Sequence, residues 1–284
     1  MPGSRLRVRA PLMKIAICLA FLPLTLGASG CPNVYQEMSD KGSDAALIYK
    51  AGREIDLEAY DDALETLSGL TSTGKRSRDG RVAKATAYAG KCGLNLLTFA
   101  NDFANQISGS TLMKLTLNHF RAATSYEYCK LAEYELLSIS ARDWKTDDYA
   151  FLVFVEMSTI GTLHAGASGA DADNDGGLDN AFDPCTDSAS HVAEAEVREV
   201  GTGLTIMMTA LAASGITIGG GMGDTFEELC TDLASIGTDF CSITDPDGFD
   251  SDQVNAIRTL IKTKDVGLDV CNGKSFGDAT CACI

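Results

Sequence analysis

The sequence predicts an all-α protein of antiparallel helical hairpins that ends in a disulfide-stapled C-terminal part. Three observations carry this. Apolar residues recur at i, i+3, i+4 and i+7 in one segment after another, the period of an amphipathic helix. No alternating apolar and polar run exceeds a few residues, so strand content is expected to be low. Ten cysteines are present, six of them after residue 184, which locates the stapling in the C-terminal half. With 45% hydrophobic residues in 284, the chain can bury a core, which rules out a disordered acidic polymer. A net charge of −16 supplies no basic face for phosphate, so nucleic acid is excluded as a partner.

The helices follow in order. Ser43 can cap a first helix with apolar positions at Ala46, Leu47, Ala51 and Ile55. A second carries Tyr60, Ala63, Leu64, Leu67 and Leu70, and the short break between them predicts antiparallel packing. The small residues Ala51, Gly52 and Ala63 would let the two backbones approach closely. Residues 74–80 read as a polar turn, and the next helix runs from Val82 through Leu94 toward Phe103. Residues 111–139 give one or two helices, 144–165 another, then 192–213 and 225–236, and a last one near 251–264, about nine in all. Two apolar runs, 151–170 with the single acid Glu156 and 200–223 with no charge, are too rich in Gly, Ser and Thr for membrane spans and read as buried helices.

The first hairpin resembles a tetratricopeptide unit: small residues at the close-contact positions and Tyr60 opening the second helix. Leu47 stands where that family has a large aromatic. Ala89-Gly90 repeats Ala51-Gly52 after 38 residues, against a period of about 34 in the family. The resemblance covers residues 43–107 and implies a tetratricopeptide-like α-solenoid that holds a partner protein in a groove.

The N-terminus carries an address. Residues 1–30 contain no acid; Arg5, Arg7, Arg9 and Lys14 form a positive region, followed by an apolar run over 15–26 that is too short to span a bilayer. Met13 is an alternative start. Gly27-Ala28-Ser29-Gly30-Cys31 resembles a bacterial lipobox, with Ala28 in place of the usual leucine; the alternative is an ordinary secretory signal cut nearby. The resemblance implies that Cys31 is acylated and becomes the first residue of the mature chain. Its lipid would then hold the chain on a membrane outside the cytoplasm. Pro32, where aspartate often marks inner-membrane retention, leans the expectation to the outer membrane. Removing 30 residues leaves 19 basic and 39 acidic residues.

Cys18 falls in the signal and Cys31 is spent on lipid. Cys92, Cys129, Cys185, Cys230, Cys241, Cys271, Cys281 and Cys283 remain, an even set that suggests four disulfides in an oxidising compartment. Cys92 and Cys129 lie on neighbouring predicted helices and are candidates to pair with each other. A soft-metal site at Cys271, Cys281 and Cys283 is the alternative.

One stretch has ligand chemistry. Asp171, Asp173, Asp175 and Asp179, with Gly176 at the turn and the Gly177 carbonyl, match the spacing of an EF-hand calcium loop. Phe182 replaces the bidentate glutamate of that loop, and Asp183 follows. Asp183-Pro184-Cys185 is closer to the calcium repeats of thrombospondin type 3, which implies a structural calcium site of weak affinity, roughly 0.1–1 mM. A solvated acidic turn is the alternative. The stretch 245–252 is looser, with Asp250 or Ser251 read as a helix cap. His119, His164 and His191 form no catalytic or metal motif, and Gly219–Gly223 lacks the strand and lysine of a phosphate loop.

The expected organisation is a signal at 1–30, a lipid-anchor tether at 31–42, a tetratricopeptide-like helical domain at 43–167, the acidic calcium-type loop at 168–190 and a cysteine-rich helical part at 191–284. The expected role is a non-catalytic interaction or structural scaffold: an outer-membrane lipoprotein facing the periplasm, bound to an envelope protein, with no small-molecule substrate in view. A calcium-dependent surface adhesion lipoprotein and an acidic-site envelope hydrolase are the alternatives.

Overall fold

The computed structural model describes residues 41–99, 101, 110–120, 125–167, 169–171, 173, 178–179, 181–188, 190–215, 230–231, 233–234 and 239–283. Cys31, Asp175 and Gly177 lie outside these residues, as does most of the helix expected at 225–236, where 230–231 and 233–234 are helical. Among the described residues there are nine α-helices and no strand: α1 Asp44–Asp56, α2 Tyr60–Ser68, α3 Ser72–Arg76, α4 Arg78–Cys92, α5 Leu112–Phe120, α6 Tyr126–Leu137, α7 Thr146–Thr162, α8 Glu194–Ser214 and α9 Ser251–Lys262.

The caps explain the boundaries. The Ser43 hydroxyl accepts the Ala46 N–H at 3.3 Å and starts α1. The expected polar turn at 74–80 is instead a single helical turn, α3, followed at once by α4. Ser77 makes the junction, since its hydroxyl accepts the Gly80 N–H at 3.1 Å. The expected run from Val82 to Phe103 is broken: α4 ends where Gly93 turns left-handed (φ 99°), and Asn95 caps a new turn at 96–99 through the Thr98 N–H at 3.1 Å. Asp250 and Gln253 exchange side-chain and backbone hydrogen bonds at 2.9 Å, a capping box that opens α9.

Two hydrophobic clusters share α4. The smaller joins Ala51, Ala63, Leu67 and Leu70 to Ala87 of α4, under the α1–α2 hairpin. The larger begins at Ala85 and Ala89 of the same helix and runs through α5 to α9, reaching Val266 and Leu268. Three basic residues of α4 then fix its neighbours. Arg78 forks onto Asp148 at the start of α7 (2.7 and 2.5 Å), and Arg81 and Lys84 share Glu135 of α6 (2.8 and 3.3 Å). The Asp148 bond holds Arg78 above its ordinary pKa. At the other end, Lys91 pairs with Asp61 of α2 and lies 4.2 Å from the Tyr128 ring centre of α6.

Of the two apolar runs, the described part of the first, 151–167, and the start of the second, 200–207, lie mostly inside the molecule, and 216–223 fall outside the described residues. In α7, Ser158, Thr159 and Thr162 donate their hydroxyls to carbonyls one turn back, so polar side chains are satisfied in a buried helix. No described helix is long and apolar enough to cross a membrane. All eight candidate cysteines are paired: Cys92–Cys129, Cys185–Cys283, Cys230–Cys241 and Cys271–Cys281. The soft-metal alternative is thereby overturned, because its three thiols are consumed in two disulfides.

Gly52 and Gly90 differ in a way the spacing did not show. Ala51 and Ala63 are fully buried, but a Cβ at Gly52 would meet nothing within 4 Å, so this glycine is not a contact residue. A Cβ at Gly90 would sit 2.2 Å from the Tyr60 ring. Gly52→Ala is therefore expected to raise stability by about 0.5–1 kcal/mol through helix propensity. Gly90→Ala is expected to lower it by about 1–3 kcal/mol through overpacking. Denaturant titration of both variants checks the pair, and equal effects would show that the α2–α4 contact is misread.

Candidate functional site

The acidic loop is built on a closed base. The Gly169 N–H bonds the His191 carbonyl at 2.9 Å, and a Cβ at Gly169 would lie 2.1 Å from the Ser190 carbonyl oxygen, so only glycine fits where the two ends meet. Inside this base the Asp179 N–H bonds the Ala170 carbonyl at 2.9 Å.

The outgoing segment of the loop is held from α9 by Arg258, a buried guanidinium. Its Nη1 donates to the carbonyls of Pro184 (2.7 Å) and Val192 (2.8 Å), and its Nη2 pairs with Asp187 at 3.3 Å. Asp187 also accepts the Glu194 N–H at 2.8 Å and so anchors the start of α8. One turn further on, Lys262 lies 3.5 Å from Asp183, and Cys185 is joined to Cys283.

The ligand candidates are placed unequally. Asp171 is fully buried at the base, Asp173 is exposed and Asp179 is half-buried. Asp183 is engaged by its own turn: its Oδ1 accepts the Cys185 N–H at 3.2 Å while Lys262 faces it, and its N–H bonds His191 Nδ1 at 3.1 Å. Among the described residues no three His, Cys, Asp or Glu side chains converge as a metal cluster. In the looser stretch 245–252 the carboxylates of Asp245 and Asp250 cap local turns.

A second polar centre lies where α6, α7 and α8 meet, and sequence reasoning missed it. Lys130 of α6 bridges Glu133 of its own helix (2.6 Å) and Glu199 of α8 (3.0 Å). Glu156 of α7 lies beneath them with no exposed surface; its Oε2 is 3.2 Å from where a Gly203 Cβ would be. Neither Glu156 oxygen has a hydrogen-bond partner among the described residues. Burial pushes the Glu156 carboxyl well above its ordinary pKa, and Glu133 and Glu199 add to this against the opposing pull of Lys130. Burial likewise raises Glu133 and the Tyr126 hydroxyl, which lies near the Glu199 carboxylate. Burial works to lower Lys130, but Glu133 and Glu199 outweigh it and hold the lysine above its ordinary value. The centre is thus one ammonium between two carboxylates, with a fully buried carboxyl below whose burial favours the protonated form. The available signal was the single acid in the apolar run 151–170.

His119 meets the Phe99 ring edge-on at 4.9 Å, and His164 is fully buried, which lowers its pKa to about 4. The chain matches no family model, no curated protein and no solved structure.

The two buried titrating groups act in opposite directions. Glu156 binds its proton more tightly folded than unfolded, so its contribution is complete below about pH 4.5 and is lost as pH rises through the raised value. His164 resists protonation when folded. Its contribution, on the order of 3 kcal/mol, is complete above about pH 6.5 and is lost as pH falls through about 4. Glu156→Gln keeps the shape of the neutral acid and cannot ionise. Its unfolding free energy should match wild type near pH 4 and exceed it increasingly toward pH 9, measured by urea titration at each pH. Parallel curves across that range would contradict the assignment of a neutral acid.

Proposed function

We propose that the chain is an exported lipoprotein, anchored at the periplasmic face of the outer membrane through acylated Cys31, that acts as a non-catalytic scaffold for an envelope protein. The observation that carries this reading is a set of exposed leucines, one in the link between α1 and α2 and two in the turn after α4. Leu57 is 75% exposed, Leu97 83% and Leu96 40%, far more than isolated packing residues require. The Asn95 side chain donates to Glu58 at 3.4 Å and ties the two turns together. Exposed acids stand nearby in the chain: Asp56 ends α1, Glu58 lies in the link, and Asp61 lies in the first turn of α2, where it pairs with Lys91. Glu58 holds a φ of 59°, a conformation that glycine adopts at less cost, so a carboxylate is kept there against local backbone preference.

Other features support the reading. Four disulfides suit an oxidising compartment. The starts of α1 and α4, Asp44 and Arg78, are 34 residues apart, the tetratricopeptide period, and the α1–α2 hairpin packs on α4. The acidic loop is read as a weak structural calcium site, with oxygens from Asp171, Asp173, Asp175 and Asp179 and the Gly177 carbonyl. Asp183 is left to its turn and to Lys262.

In native envelopes, photo-crosslinking from the hairpin end should trap a protein partner with wild type and lose it with Leu57→Asp/Leu97→Asp, while helix content and disulfide number stay the same. Identical crosslinks in both, or none in either, would end the scaffold reading. Calorimetry on the oxidised mature chain should show calcium binding that Asp173→Ala and Asp175→Ala abolish; equal heats would remove calcium from the account.

A further inference from the structure

A groove of about 460 Å³ runs between α9 and the C-terminal segment, and it shares no residue with the leucine patch. Its floor is apolar, formed by Ala256, Phe276, Ala279 and Ala282. A carboxylate stands on each wall, Asp252 in the first turn of α9 and Asp278 on the C-terminal segment, and no lysine or arginine lines it.

The groove is held open before any ligand arrives. Cys271–Cys281 and Cys185–Cys283 bracket the C-terminal wall, and the Cys283 N–H donates to the Thr259 hydroxyl of α9 at 2.9 Å. The Phe276 N–H donates to Asp265 at 2.6 Å. The Asp278 carboxylate is oriented by the Thr280 N–H (3.0 Å) and hydroxyl (2.6 Å) and by Lys274 (2.9 Å). These same contacts hold Asp278 well below the usual carboxylate range, so it stays charged. Asp252 enters no ion pair among the described residues. A wall fixed in this way loses little freedom on binding.

We infer that this groove binds a basic segment of a partner polypeptide, in which a lysine or arginine stem lies on the apolar floor and its charged head meets Asp252, the wall carboxylate not already paired. The charge on the page favours this occupant, since the mature chain carries 19 basic and 39 acidic residues and attracts cationic polypeptides at long range. The floor favours a polypeptide over a free polyamine. It offers a continuous apolar strip, whereas a polyamine interrupts its methylenes with charge every few carbons. Long basic side chains match such a strip because their stems are apolar and only their tips are charged.

The test uses the oxidised mature chain, labelled for NMR and titrated with a short synthetic peptide of alternating lysine and leucine, and separately with spermine. Peptide-induced shifts should concentrate at Asn255, Thr259, Ala279 and Ala282. Asp252→Asn should weaken binding about threefold, as expected for one partly exposed ion pair. Ala279→Trp, at an exposed position, should fill the groove and abolish binding with disulfides and helix content intact. Shifts spread over the acidic surface, unchanged binding by Ala279→Trp, or spermine binding as tightly as the peptide would each overturn the inference. Its outcome is separable from the scaffold reading, because Leu57→Asp/Leu97→Asp leaves the groove untouched.

Discussion

The fold depends on one helix being packed from two sides. α4 gives Ala87 to the small cluster under the α1–α2 hairpin and Ala85 and Ala89 to the main core. A helix in that position needs small residues on both faces, because backbones on either side must come close. Its remaining contacts are then electrostatic. Arg78, Arg81, Lys84 and Lys91 project past the small side chains and find Asp148, Glu135 and Asp61 on three other helices. The Cys92–Cys129 bond ties its last residue to α6. Without α4 the N-terminal hairpin would have no core to join.

Inside that frame the buried charges fall into two kinds. Arg258 is fully committed: carbonyls and Asp187 satisfy it, and the arrangement fastens the acidic loop to α9. The Lys130 centre is not committed in the same way. Two carboxylates compete for one ammonium, and burial disfavours the charged form of Glu156 beneath them. A buried guanidinium in a cage of carbonyls is rigid at every accessible pH, whereas a buried carboxyl is stable only while it keeps its proton.

Much of this was legible in the sequence. The helical period, the buried apolar run of α7, the Ser43 and Asp250 caps and the pairing of Cys92 with Cys129 all rest on short-range patterns that a chain displays directly. The failures have a common cause. Gly93 looked like an interior helix residue because apolar spacing continues past it, and only its left-handed conformation shows the stop. Gly52 looked like a contact glycine because it neighbours Ala51, yet it faces open space. Arg258 and the Lys130–Glu199 bridge draw on residues 66 or more apart, a separation at which spacing carries no information. The acidic loop was located by its carboxylates, but Asp183 went to Lys262, a partner 79 residues away that no local pattern names.

The Cys185–Cys283 bond spans almost all of the C-terminal third. A protease that cuts the backbone once anywhere between those two cysteines leaves both pieces covalently joined. The nicked molecule keeps its mass, and the segment walling the groove stays tied to the body through Cys185. This closure turns chain cleavage from loss of a fragment into a tolerated scar.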